Sequence, residues 1–165
     1  MSIKVFGVLE LPDTQVQINK QVELSFIMIE CATKNKIGIK VGGNVAQKHL
    51  QRYGDLHNKL PFELTDDPMD VNAECLFAGD GIEIQVSDIR VDSAEPLLRR
   101  MSRVQNFLKE LTMNNIVNQI ILDVNIEDGD EFETIKVSTN EFSEKMVELY
   151  EQEGNWTPTV RIIIK

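Results

Sequence analysis

The hydrophobic period of this chain changes abruptly at Ser93–Met113, and that change limits the folds open to it. Leu97, Met101, Val104, Leu108 and Leu111 recur there at helical spacing on a single stripe, which predicts a long amphipathic helix. Asp92 or Ser93 is placed to cap it, and Glu95 and Pro96 suit a first helical turn. On either side the period falls to two. Upstream, Ile82, Ile84 and Val86 alternate with Glu83, Gln85 and Ser87, before a phase shift at Asp88-Ile89 that reads as a bulge. Downstream, Ile120, Leu122, Val124 and Ile126 alternate with Gln119, Ile121, Asp123 and Asn125. A helix of this kind, set between strands, must bury its stripe against their sheet.

The remainder of the C-terminal half continues the series. Gly79-Asp80-Gly81 separates Glu74–Ala78 from Ile82–Val91 and reads as a hairpin turn. The acidic turn Glu127-Asp128-Gly129-Asp130 leads into a strand over Phe132–Val137, and Ser138-Thr139-Asn140-Glu141 matches a capping box. The helix that follows turns Phe142, Met146, Leu149 and Tyr150 inward and stops at Gly154. A last strand carries Val160, Ile162 and Ile164. From Ile82 the order is strand, helix, strand, strand, helix, strand, with a hairpin-length link in the middle. Right-handed crossovers then predict a βαββαβ ferredoxin-like (split βαβ) sandwich over residues 73–165. Its second sheet face would be polar, with Glu83, Gln85, Gln119, Asp123, Asn125, Lys136 and Arg161 interrupted only by Ile121 and Ile163. Solvent, the N-terminal half or a partner could meet that face.

Residues 1–72 read as a β-rich subdomain with one short helix. Ile3–Leu11 is a strand, and Val22–Thr33 is a second, apolar on both sides. Lys34-Asn35-Lys36 turns the chain into a return strand through Ile37, Ile39 and Val41. Val45–Tyr53 is a short helix stopped at Gly54, and Asp55–Asn72, with two prolines, is an irregular connection. The fold class is therefore α+β, a β-rich N-terminal half packed with the sandwich, as two subdomains or one continuous domain. At 165 residues either fits.

Charge narrows the partners. The net charge is −10, which argues against nucleic acid, since phosphate neutralisation needs a basic surface. The charge is also segregated. Arg90–Lys109 carries a net of +3, while Asp123–Glu153 carries eleven acidic residues against Lys136 and Lys145, a net of −9. No apolar run is long enough for a bilayer. Residues 1–12 lack the basic start and apolar core of a signal peptide, so the expected location is cytoplasmic. Cys31 and Cys75 stand in no metal or redox spacing and are expected as free thiols on strands, with a disulfide left open.

Candidate sites follow from that segregation. Arg99 and Arg103 lie opposite the apolar stripe of the central helix, where guanidinium forks suit a carboxylate or phosphate, and Arg100 lies on its flank. Glu144, Glu148 and Glu151, in register with Glu141, form an acidic stripe on the last helix, and Glu127, Asp128, Asp130 and Glu131 fill the turn before it. Together these acids could dock a basic protein. As a calcium loop, Asp123-x-Asn125-x-Glu127 fails because Asp128 stands where glycine is required. Gly38–Asn44 matches neither a dinucleotide nor a P-loop spacing, and His49 and His57 lack a nucleophile motif beside them. The sequence thus assigns no catalytic residue, metal or cofactor. The expected function is that of a non-catalytic acidic adaptor, inhibitor or assembly subunit that binds another protein, with self-association open. A small-molecule-binding regulatory domain, or a small enzyme with a carboxylate–arginine site around Asp123, Arg161 or Arg103, is the alternative.

Overall fold

The structure is a computed structural model that describes residues 3–12, 18–45, 47–54, 56–65, 76–79, 95–113, 117–127 and 129–165. In chain order its elements are strand β1 (Val5–Glu10), helix α1 (Ile18–Lys34), strand β2 (Gly38–Val41), the single turn α2 (Gln47–Leu50), strand β3 (Lys59–Thr65), helix α3 (Leu97–Thr112), strand β4 (Gln119–Val124), strand β5 (Glu133–Val137), helix α4 (Phe142–Gln152) and strand β6 (Val160–Ile164). Among the described residues the strands form one mixed sheet in the order β2-β3-β1-β4-β6-β5. The fold is α+β, a six-stranded sheet with three full helices.

The register joins the two halves of the chain. β1 is central, antiparallel to β3 on one side and to β4 on the other, with Phe6 opposite both Glu63 and Asp123. β2 is antiparallel to β3, and β6 to β4. β5 alone runs parallel to its neighbour, β6. Val5, Leu9, Phe62, Leu64, Ile120, Leu122, Val124, Val160, Ile162 and Ile164 occupy one face and pack against Leu24, Met28 and Ala32 of α1, Met101, Val104, Phe107, Leu108 and Leu111 of α3, and Phe142, Met146, Leu149 and Tyr150 of α4. The core therefore lies between sheet and helices, and the stripe read from Leu97 to Leu111 is buried as expected. Gly7 permits a close approach in this layer. A Cβ there would lie 2.6 Å from the Phe62 ring, and that ring meets Phe107 edge-on with centroids 6.5 Å apart.

Three sequence expectations are corrected. First, Val22–Thr33 is not a strand: it lies within α1. Leu24, Met28 and Ala32 are buried at four-residue spacing, while Phe26, which a strand would bury, is 69% exposed. The same residues satisfy periods of two and of four, and the sheet settles the choice. α1 then ends in a Schellman arrangement, with Ile37 N–H donating to the Ala32 carbonyl at 2.8 Å and Lys36 at φ 57°. A lysine in that left-handed position costs about 1 kcal/mol relative to glycine.

Second, the partner of β2 is β3, from the stretch expected to be irregular. Pro61 concealed it. β2 ends opposite Phe62, so Pro61 lies beyond that ladder, where a missing N–H on that side forfeits no bond. Third, β4 and β5 do not form the hairpin that the ferredoxin-like reading of residues 73–165 requires, because β6 lies between them. β6 carries three consecutive isoleucines and takes an interior place, with Ile163 on its second face directly opposite Ile121. β5 exposes Glu133, Thr134 and Lys136 and takes the edge. A split strand–helix–strand order does occur, but over β1, α1, β2, β3, α3 and β4.

Smaller points differ too. The predicted strand Ile82–Val91 and the Asp92/Ser93 cap lie outside the described residues, and Leu76–Phe77 is a turn. The helix start of α3 is at Pro96. No capping box forms at α4, whose N-cap is Glu141 without a side-chain bond. Gln105 of α3 serves instead, its side-chain oxygen accepting from Ser143 N–H at 2.7 Å. Cys31 is a free thiol on a helix, and Cys75 lies outside the described residues.

Candidate functional site

Chain direction brings the charged segments to one end of the sheet. β4 ends at Val124, opposite Val160 at the start of β6, and Glu133 at the start of β5 pairs with the same Val160. The 125–132 turn joins β4 to β5 at this end. α4 returns here as well, since β6 follows it. α1 finishes here because Gly38, which begins β2, pairs with Thr65 at the end of β3. α3 starts here because β4 begins at the other end, opposite Glu10.

A short strap holds the region together. Arg100, expected on the helix flank, is wholly buried. Its Nη1 donates to the carbonyls of Leu76 at 3.1 Å and Ala78 at 2.6 Å, and its Nε to the Glu95 carbonyl at 2.9 Å. From the other side, Tyr150 Oη and Thr157 Oγ1 both donate to the Phe77 carbonyl, at 2.5 and 2.7 Å. Gly79 fits because a Cβ there would lie 1.8 Å from the Asn155 carbonyl oxygen. Segment 76–79 thereby ties the start of α3 to the end of α4.

On one side of the strap is a basic groove of about 530 Å³, lined by Lys34, Asn35, Lys36, Glu95, Pro96, Arg99 and Arg103. The predicted pair Arg99 and Arg103 is joined there by two lysines from the far end of α1, a juxtaposition the sequence did not reveal. Arg103 is anchored: its Nη1 donates to the Lys36 carbonyl at 3.0 Å, and its Nε faces Glu95 Oε1 at 3.2 Å. Lys34 pairs with Glu110 at 3.2 Å. Partial burial opposes ionisation of Glu110, but hydrogen bonds from Cys31, Lys34 and Asn35 outweigh it and draw the carboxyl below its usual range. The Cys31 thiol is pushed up to about 11 by burial and by its bond to Glu110.

On the other side is the acidic rim. Glu127, Asp130 and Glu131 in the turn are exposed, as are Glu144, Glu148 and Glu151 along α4 and Glu153 at its C-cap. Asp128 lies outside the described residues. Asp130 also shapes the turn, its Oδ2 accepting from Glu127 N–H at 2.8 Å. Glu148 pairs with Lys145 at 3.6 Å, with more than a third of each side chain exposed. α4 has no basic residue in its last turn.

The other sheet face carries a different cluster. Asp123 is buried and accepts two bonds from Arg161, at 2.7 and 2.8 Å. Arg52 lies 3.7 Å from it, and Tyr53 Oη donates to it at 3.2 Å. The bond to Asp123 raises the guanidinium pKa of Arg161, and burial chiefly raises that of Tyr53. His49 stacks on Phe6 with ring centroids 3.5 Å apart, and Arg161 lies over the Phe132 ring at 5.1 Å. The α2 segment of the N-terminal half thus covers part of the face read as polar. With both oxygens engaged by Arg161, Asp123 serves the sheet rather than a cation loop with Glu127. Of the carboxylate–arginine residues named from the sequence, Asp123 and Arg161 are brought together here, while Arg103 belongs to the groove at the start of α3. Among the described residues no group of three or more histidine, cysteine or acidic side chains is arranged to hold a metal ion, and no helix is long and apolar enough to cross a membrane.

The chain matches no known family model, no curated protein and no solved structure.

Proposed function

We propose that this chain is a non-catalytic binding protein, an adaptor, inhibitor or assembly subunit, that docks a basic protein surface through the acidic rim. The observation that carries the reading is where the acids stand. Glu151 and Glu153 occupy the C-terminal end of α4, where the helix dipole disfavours a carboxylate by about 0.3–1 kcal/mol each. They add nothing to folding there, and neither makes an ion pair among the described residues. Exposed at the same end of the sheet as Glu127, Asp130 and Glu131, they give a predominantly acidic surface able to speed encounter with a basic partner. The surrounding scaffold supports reading β1–β4 with α1 and α3 as a ferredoxin-like split βαβ unit, extended at one edge by β6 and β5, and both halves as one domain.

Co-purification of the full chain from its native cell tests the function. A partner retained at low salt and released at high salt is the expected result, because exposed charge pairs are screened. A partner held equally at both would remove the rim from the explanation.

A further inference from the structure

We propose that the groove between the end of α1 and the start of α3 binds a small phosphate monoester. This site lies across the 76–79 strap from the acidic rim and does not depend on the docking reading. Its volume of about 530 Å³ falls in the range of small-molecule sites. In a chain of net charge −10, Lys34, Lys36, Arg99 and Arg103 converge on this concavity, with Glu95 the one acidic residue among its described lining.

The four cations are not equivalent. Lys34 is engaged by Glu110, and Arg103 is held by the Lys36 carbonyl and by Glu95. The side chains of Lys36 and Arg99 make no hydrogen bond or ion pair among the described residues. Two uncommitted cations beside an anchored guanidinium suit a doubly charged tetrahedral anion: the arginine fork supplies paired N–H donors and the ammonium a point charge. The positive end of α3 adds to the same field. A singly charged carboxylate gains less from these groups and meets the same repulsion from Glu95. Glu95 itself acts as an internal stand-in, occupying one side of Arg103 until a stronger anion displaces it. Lys36 adds weight to this assignment. It holds the left-handed position where glycine is favoured, and glycine there would remove the ammonium from the groove.

Calorimetric titration of the full chain with phenyl phosphate tests the proposal, with benzoate as the carboxylate control. Saturable binding of phenyl phosphate is expected, about tenfold or more tighter than that of benzoate. The double variant Arg99→Ala/Lys36→Ala, altered at two exposed side chains, should weaken it about tenfold or more. Glu95→Gln should tighten it severalfold, since Arg100 is held by the Glu95 backbone carbonyl rather than by its side chain. No saturable binding, equal affinity for benzoate, an unchanged affinity in the double variant, or weaker binding in Glu95→Gln would each overturn the assignment.

Discussion

Asp123 is the residue on which the second sheet face turns. It is a buried carboxylate 2.7 Å from Arg161 and 3.7 Å from Arg52. Replacing it by alanine removes the acceptor of both Arg161 bonds and leaves that partly buried guanidinium without the carboxylate it faces. Asp123→Ala should therefore cost about 3–5 kcal/mol, read by equilibrium urea unfolding. A loss below about 1 kcal/mol would mean that water screens the cluster as it screens a surface pair. Cys31 gives a second residue-scale expectation. Its thiol is raised from an ordinary 9.0 to about 11, so the folded chain holds the proton where the unfolded chain has released it. Any stability from this thiol is complete below pH 9.0 and declines as the pH rises toward about 11. In a Cys75→Ser background, the alkylation rate of folded protein should keep climbing to a midpoint near 11. A midpoint at the ordinary thiol value would contradict both the burial and the Glu110 bond.

At the scale of elements, α1 is where sequence and structure part most clearly. A strand over Val22–Thr33 would bury Phe26 with Met28, whereas the helix exposes Phe26 and leaves Met28 at 0%. Phe26→Lys should thus change stability by no more than about 0.5 kcal/mol, while Met28→Lys should prevent folding or cost several kcal/mol. Equal large losses would restore the strand. The reason for the misreading is physical: Leu24, Met28 and Ala32 share one side under either period, and only the sheet they meet decides. β1, β4, β5, β6, α3 and α4 were legible because their alternation or their helical stripe is unambiguous and coincides with burial. β3 was not, because Pro61 reads as a breaker until the short partner β2 is seen to stop before it. The capping of α4 was equally out of reach, since Gln105, which replaces the predicted capping box, is distant in sequence and adjacent only after α3 has docked. The hairpin-length link between β4 and β5 predicts that they pair, yet β6 lies between them. The apolar character of Ile162, Ile163 and Ile164 was the available signal that β6 belongs inside.

At the scale of the whole molecule, one end of the sheet carries both charge extremes, separated by a strap that buried Arg100 holds in place. The sequence named Arg99, Arg103, Glu144, Glu148 and Glu151 from helical spacing alone. It could not bring Lys34 and Lys36 to the same groove, because that proximity depends on α1 being a helix that ends where α3 begins. The two ligands proposed above, a basic protein at the rim and a phosphate in the groove, are opposite in sign, as are the surfaces on either side of the strap. On the proposed reading, the rim acids serve docking and not folding. The most direct measurement pairs low-salt co-purification with the unfolding midpoint of Glu144→Lys/Glu148→Lys/Glu151→Lys. Loss of the partner with a midpoint within a few degrees of the parent is the predicted result. A reversed protein that folds as well and still retains its partner would contradict it.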